Sequence, residues 1–215
     1  STPEDGVAHV MLMHCTAGLF GGDNIAMTVR VERGARVRLT QQSATRIHPS
    51  EDRTAIQSSN FYIESGGSLD LLLEPVIPFA SSRFQQTTTL EVEQGGRLRY
   101  WEGLMAGRVG RGELWKFETL SSETRLTSGG RLLFLDRIRL QPDCVIPSVR
   151  WGMGGGTYAG TGLYMGDDAS RVAQVLREAL PSAGVDLLSD SLAVTRIVTA
   201  NGPEFHRSQA AFAAA

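Results

Sequence analysis

One short pattern occurs four times in the 215-residue chain and constrains the fold more than any other feature. Each copy places an apolar residue three positions before a glycine, then a small residue and an alternating apolar stretch. The glycines are Gly34, Gly66, Gly95 and Gly129, so the offsets between copies are 32, 29 and 34 residues. Period-2 alternation around a small-residue pair indicates strand, tight turn, strand, since glycine readily adopts the positive φ that tight turns need.

Repetition at this period, with no helical pattern between copies, predicts a mostly β fold. We expect stacked β-hairpins that form an elongated β-superhelix or sandwich-like body over about residues 1–150. The alternative is a plain β-sandwich whose internal similarity is accidental. Residues 151–215 predict a small α+β end, with strands at 157–165 and 192–199, a helix ending at Pro181 and a second helix beginning at Pro203. Nothing in the chain demands a second domain.

Alternation also assigns strand faces. The columns expected to face the core are Val37, Leu69, Leu98 and Leu132, followed by Leu39, Leu71, Tyr100 and Phe134. The same phase continues into Gln41, Leu73, Glu102 and Asp136. A buried carboxylate needs a partner, water or a cation, so Glu102 and Asp136 mark either a polar interior or a solvated rim where the strands end.

Composition excludes several classes of function. The net charge is −2, which gives no reason to expect nucleic acid or an anionic membrane as a partner. No apolar run approaches the ~20 residues of a membrane span, and the first residues lack the pattern of a signal peptide. Two cysteines, Cys15 and Cys144, form no disulfide framework, so a cytoplasmic location is expected.

Catalytic and structural metal motifs are missing from the sequence. There is no GxSxG nucleophile motif, and neither cysteine has zinc-site spacing. His9 shares a strand face with Met11, Met13 and Cys15, which could form a soft-metal group, but core packing is the better explanation for Met and free Cys. These observations predict a protein that is not an enzyme and holds no tightly bound cofactor.

Several motifs in combination carry a family resemblance. They are Gly21-Gly22-Asp23, the stretch from Thr40 through Ala44-Thr45 to Ser50, GGSLDLLLEPVIPF, Gly107-Arg108 with Gly112-Glu113, and LFLDRIRL. In this order and spacing the chain resembles the UreD (UreH) family of urease accessory proteins, from about residue 10 to about residue 205. Members carry a further N-terminal segment and a longer C-terminal helix, so both ends of this single domain are expected to be truncated.

The resemblance implies a non-enzymatic chaperone with protein partners. UreD-like proteins are β-rich, associate with apo-urease and UreF, and join the GTPase UreG through UreF. The assembly delivers Ni²⁺ to the urease centre, and the family is regarded as a conduit. A conduit must bind the cation weakly enough to release it, which favours carboxylates and water over imidazole and thiolate.

The predicted transient nickel ligands are six acidic residues. Glu102 and Asp136 are chosen from alternation, and Asp23 and Glu113 from the positions that match the family motifs. Asp70 and Glu74, on the opposite strand face, are weaker candidates. Each could equally be a turn residue or part of a surface ion pair. Two other functions stay open: a scaffold that acts on urease without conducting nickel, and, more distantly, a carbohydrate-active β-solenoid enzyme using paired acids.

Overall fold

The computed structural model describes residues 6–13, 15–142 and 154–215 of the chain. Within them, strands form two sheets. The larger sheet contains β1 (Ala8–Leu12), β3 (Arg36–Gln41), β4 (Thr45–Ile47), β6 (Ser68–Leu72), β7 (Val76–Pro78), β9 (Arg97–Met105), β12 (Tyr158–Met165), β13 (Gly184–Ser189) and β14 (Leu192–Thr199). The smaller sheet contains β2 (Asn24–Val31), β5 (Ala55–Ile63), β8 (Arg83–Val92), β10 (Thr119–Ser128) and β11 (Arg131–Leu140).

The first three copies of the repeat stack as successive coils. In each, the strand before the glycine lies in the smaller sheet and the strand after it lies in the larger sheet. Strands of consecutive copies pair in parallel and in register: Val31 lies opposite Ile63, and Val37 lies opposite Leu69. The mostly β, solenoid-like stacking predicted from the repeat is therefore confirmed.

The prediction that every copy is a β-hairpin is wrong for the first three copies. Their glycines make corners between two sheets, with Gly34, Gly66 and Gly95 at φ of 74°, 74° and 81°. The strands on either side of each glycine form backbone hydrogen bonds to strands of a neighbouring copy, and not to each other. The corners are also linked in this way, by the hydrogen bond from Gly66 N to Gly95 O at 3.1 Å. Apolar faces of both arms are then buried between the sheets, which a flat hairpin would not achieve.

The fourth copy does form a hairpin. β10 and β11 pair antiparallel around Gly129 and Gly130, which both have positive φ. The register shifts between Leu126 and Thr127, so one additional residue stands in β11 and the alternation changes phase there. As a result Leu132, predicted to face the core, is 45% exposed, whereas Phe134 packs against the core.

The other residues of these columns face the core as predicted, with Val37 half-buried at its margin. Leu39, Leu71 and Tyr100 are at most 2% exposed, and the residues before the glycines meet them from the opposite sheet. A second apolar cluster between the sheets lies farther from the glycine corners. It contains Leu19, Ile47, Ala55, Val76, Phe84, Phe117 and Leu120.

The C-terminal part confirms the predicted strand–helix–strand–helix order, with β13 as an element that the sequence reading missed. Helix α1 (Ala169–Ala179) and helix α2 (Gly202–Ala214) pack on the outer face of the larger sheet, around Trp101. Asn201 begins α2 by accepting a hydrogen bond from Glu204 N at 3.0 Å, with proline in the first turn as expected.

Strand β1 forms one edge of the larger sheet, beside β3. The prediction that its methionine-rich face packs in the core is wrong, because this face is exposed: Met11 is 58% and Met13 63% exposed, and His9 and Cys15 are exposed too. Among the described residues, no helix is both long and apolar enough to cross a membrane. Cys144 lies outside the described residues, as does the predicted boundary near residue 150 between the repeated β part and the α+β end. The single-domain organisation stays a prediction.

Candidate functional site

A layer of polar side chains separates the two apolar clusters inside the sandwich. We call it the polar belt; its members are Gln57, Gln86, Tyr100, Glu102, Ser122, Thr124, Asp136, Thr161 and Arg196. They come from both sheets and share the strand phase of core residues such as Leu98, Leu90 and Leu126. Alternation therefore places them inward, where each polar group needs a partner.

Glu102 on β9 is the centre of this belt. Its Oε2 accepts hydrogen bonds from Tyr100 Oη at 2.7 Å and from Gln86 Nε2 at 3.3 Å. Its Oε1 accepts one from Thr124 Oγ1 at 3.0 Å. Two of these donors stand on the smaller sheet, so the carboxylate ties the sheets together through neutral groups.

Asp136 on β11 lies in the same layer and pairs with an arginine of the opposite sheet. Arg196 Nη2 lies 2.9 Å from Asp136 Oδ2, and the Asp136 side chain is 16% exposed. That oxygen is buried and receives no hydrogen bond of good geometry, although the ion pair is close. Arg196 Nη1 also donates to Thr161 Oγ1 at 3.3 Å.

Burial raises the pKa of Glu102 above its ordinary value, and the nearby charge of Asp136 adds to this. The hydrogen bonds from Tyr100 and Thr124, and the charge of Arg196, act in the opposite direction. Burial and the Glu102 charge also raise the pKa of Tyr100 well above 10. The surroundings of Glu102 thus combine one acidic and one basic neighbour, Asp136 and Arg196, whose charges act on it in opposite directions.

A cavity of about 40 Å³ opens beside Glu102. Its walls include Gln86, Ser122 and Thr161 from the belt, with apolar residues of both sheets around them. Such a volume can hold water molecules, since one water needs roughly 10–15 Å³ measured in this way. A second orphaned oxygen, Gln57 Oε1, is buried on the strand beside Gln86. The arrangement can bind water, and oxygen ligands of this kind also suit a hydrated divalent cation.

Two other predicted acids, Asp23 and Glu113, form hydrogen bonds that stabilise loops. Asp23 Oδ2 accepts a hydrogen bond from Phe20 N at 2.8 Å, and its own N–H returns one to Phe20 O at 2.9 Å, which closes a turn. Glu113 is bound by Arg108, with Arg108 Nε 2.7 Å from Glu113 Oε2, and accepts from Ala80 N at 3.2 Å. The Arg108 guanidinium lowers the pKa of Glu113.

The two weaker candidates lie on the outer side of the larger sheet. Asp70 bridges Arg38 and Arg99, at 2.9 Å and 3.3 Å. Glu74 lies 3.8 Å from His206 of α2, and burial raises its pKa. The structure therefore brings Glu102 and Asp136 together and leaves Asp23, Glu113, Asp70 and Glu74 elsewhere. In the part of the chain that the structure describes, no group of three or more His, Cys, Asp or Glu side chains could hold a metal ion.

The partners of Glu102 were missed at the level of sequence, although a signal was present. The alternation considered above covers only the strands that follow the glycines. On the strands that precede them, the same alternation places Gln86 on the face of Phe84 and Leu90, and Thr124 on the face of Leu126. Arg196 likewise follows Leu192 and Val194 in phase. Polar residues that interrupt inward columns on three further strands would have predicted the belt.

Comparison with known proteins agrees with the resemblance in the motifs. The family model of the UreD urease accessory protein matches residues 1–215. The chain belongs to the UreD urease accessory protein family. Members of this family take part in urease maturation.

Curated relatives carry the same family names. The chain is 39% identical over 137 residues to urease accessory protein UreD of Acetivibrio thermocellus, covering 64% of this chain and 52% of that protein. It is 32% identical over 195 residues to UreD of Cupriavidus necator, covering 88% and 68%. It is 32% identical over 139 residues to urease accessory protein UreH of Helicobacter hepaticus, covering 65% and 55%. This UreD-family chain thus spans between about half and two thirds of the length of these relatives.

Proposed function

We propose that this protein is a non-enzymatic nickel-insertion chaperone, which bridges apo-urease and the UreF–UreG complex and helps deliver Ni²⁺ to the urease centre. Its cargo crosses the interior of the sandwich along the polar belt, bound transiently by Glu102 and Asp136. Family membership supports the role in urease maturation. The single observation that favours conduction is a buried carboxylate, Glu102, that lines a water-sized cavity, with Asp136 near it in the same polar layer.

The chemistry of the belt suits transient binding. Carboxylate, hydroxyl and amide oxygens exchange Ni²⁺ more readily than imidazole or thiolate does. The raised pKa of Glu102 reflects an unfavourable buried charge, which an arriving cation would relieve. Arg196 occupies the position of a counter-charge at Asp136, so a cation that enters must compete with it. Asp23, Glu113, Asp70 and Glu74 stay predicted nickel ligands that lie outside the belt.

The test is a double variant, Glu102→Gln with Asp136→Asn, assayed for nickel content of urease after activation with UreF, UreG and apo-urease. We expect nickel incorporation to fall about tenfold or more, while co-purification with UreF is unchanged, because both substitutions are internal and nearly isosteric. A thermal melt of the variant verifies folding.

The matched control is Glu91→Gln with Glu178→Gln, two exposed glutamates outside the belt. This control should activate urease as the wild type does. If the belt variant is folded, binds UreF and still loads nickel normally, conduction through the belt is wrong and the scaffold function is favoured. A carbohydrate-active enzyme has no observation that favours it, since Glu102 is engaged by three neutral donors inside the sandwich.

A further inference from the structure

Arg196 is a cation that the polar belt already contains, and it lies on the solvent side of the belt. Glu102, Thr161 and Arg196 form one cross-strand row of the larger sheet, on β9, β12 and β14. The row runs from the cavity, which Glu102 and Thr161 line, to the Arg196 side chain, which is 48% exposed. Asp136, which Arg196 contacts from the opposite sheet, is only 16% exposed.

The contact between Arg196 and Asp136 is close but weakly directed. Arg196 Nη2 lies 2.9 Å from Asp136 Oδ2, yet this buried oxygen receives no hydrogen bond of good geometry. Arg196 Nη1 donates only a long hydrogen bond, of 3.3 Å, to Thr161 Oγ1. A firmly bound pair looks different: two nitrogens of Arg108 donate to the two oxygens of Glu113. Arg196 is therefore held mainly by charge, and its half-exposed side chain can move into water at small cost.

The charges of the belt favour exchange of this guanidinium group for a metal cation. The charge of Arg196 acts on Glu102 as well as on its contact partner Asp136. A divalent cation bound by these carboxylates would be repelled by a guanidinium group that stayed beside Asp136. Once that group moves into water, the repulsion is screened, and an oxygen of Asp136 is free to bind the cation.

We propose that Arg196 is a displaceable counter-ion of the belt: an arriving Ni²⁺ replaces its guanidinium group at Asp136, and the returning group helps to release the metal. Arg196 is then a positioning residue, which keeps nickel binding weak without touching the cargo. This inference rests on the proposed function, because it takes the two belt carboxylates as the nickel ligands.

The probe is Ni²⁺ alone, titrated against the full chain near neutral pH in competition with a chromophoric chelator. Its release is timed by stopped-flow mixing with excess EDTA. Arg196→Gln should lower the Kd about tenfold or more and slow release, because the competing charge is lost. In the urease assay the same variant should load less nickel in a given time. Tighter binding with slower loading is a split that a merely structural role would not produce.

Two further variants separate displacement from a general change of charge. Arg196→Lys keeps the charge and should change the Kd by less than about threefold, since the contact does not use the guanidinium fork. The matched control is Arg137→Gln, which removes the same charge from β11 next to Asp136. Arg137 points to the opposite face and pairs with Glu123 at 2.7 Å, so its loss should change the Kd by less than about twofold.

Equal tightening by Arg196→Gln and Arg137→Gln would overturn the proposal, and so would tightening by Arg196→Gln that persists when Asp136→Asn is also present. No Ni²⁺ binding by either the wild type or Arg196→Gln would overturn it too.

Failure of this inference is distinguishable from failure of the nickel path. If Arg196→Gln leaves the Kd unchanged while Glu102→Gln with Asp136→Asn weakens Ni²⁺ binding, displacement is wrong and the path stands. If Arg196→Gln tightens binding but Glu102→Gln with Asp136→Asn loads urease normally, displacement is supported and conduction is wrong.

Discussion

A single carboxylate shows how the interior of this sandwich differs from an ordinary core. Glu102 stands on a strand between residues that are fully buried, at a depth where an unpaired charge is expensive. Three neutral donors stabilise it, and no cation is bonded to it directly. The group is therefore held in place by neutral donors from both sheets.

The raised pKa of Glu102 predicts a pH-dependent cost to stability. The folded protein keeps a proton that the unfolded chain releases near pH 4.5, so stability falls as pH rises from 4.5 through the folded-state pKa. Glu102→Gln removes this cost. In denaturation at pH 4.5 and pH 7.5, the free energy of unfolding of the variant should rise relative to that of the wild type at the higher pH, by about 1.4 kcal/mol for each tenfold difference in proton affinity between the folded and unfolded states.

The control for this measurement is Glu178→Gln, an exposed glutamate on α1. Its difference from the wild type in free energy of unfolding should be the same at both pH values. A Glu102→Gln difference that also stays constant with pH would show that the buried charge carries no cost, and it would remove one support of the proposed nickel path.

Among the elements, β12 determines how the helical layer meets the sheets. Its glycines allow aromatic rings to pack directly on the backbone. A Cβ at Gly162 would stand 2.6 Å from the ring of Phe212 in α2, and one at Gly160 would stand 2.8 Å from Trp101. These rings and their neighbours form the apolar layer under both helices. The glycines of TYAGTGLYM are thus explained by close packing.

Gly162→Ala should destabilise the protein by about 1–3 kcal/mol, since the added methyl group forces Phe212 and α2 outward. The measurement is chemical denaturation at neutral pH. Gly184→Ala on β13 is the matched control, because its nearest atom is 3.9 Å away, and it should change stability by less than about 0.5 kcal/mol. Equal effects of the two substitutions would contradict this account of α2 docking.

At the scale of the whole molecule, the two sheets contain both interior strands and edge strands. β8 and β9 have neighbours on both sides and bury their inner faces, whereas β1 and β13 are edges of the larger sheet. Opening an edge strand disturbs few contacts, so protection from hydrogen exchange should differ widely along the chain.

We predict that amides of β8 and β9 exchange slowest and those of β1 fastest among the strands, as measured by hydrogen–deuterium exchange mass spectrometry. The comparison matched for length is β6, which has five residues as β1 does but has neighbours on both sides, so it should exchange more slowly than β1. Protection of β1 as strong as that of β8 in the isolated chain would contradict the edge position of β1.

Local sequence patterns predicted much of this fold. The glycine copies predicted strand, tight turn and strand; the apolar columns predicted Leu39, Leu71 and Tyr100 in the core; and the spacing from Val172 to Leu180 predicted α1. Alternation also put Glu102 and Asp136 in phase with the core residues, but it left open whether they lie inside or at a solvated rim. These features depend on side-chain periodicity and turn conformation, which the local sequence determines.

Tertiary structure decided which strands pair and which polar groups meet. A glycine corner permits either a hairpin or a passage between sheets, and only the stacking of whole copies selects between them. One additional residue in β11 turned Leu132 outward, and the approach of two sheets joined Gln86, Thr124 and Arg196 to the predicted acids. Sequence by itself determined the strands, the tight turns and the strand face of the acids, because these are local. Sheet membership and the polar belt arose only when distant strands packed together, because their energies depend on partners far away in the chain.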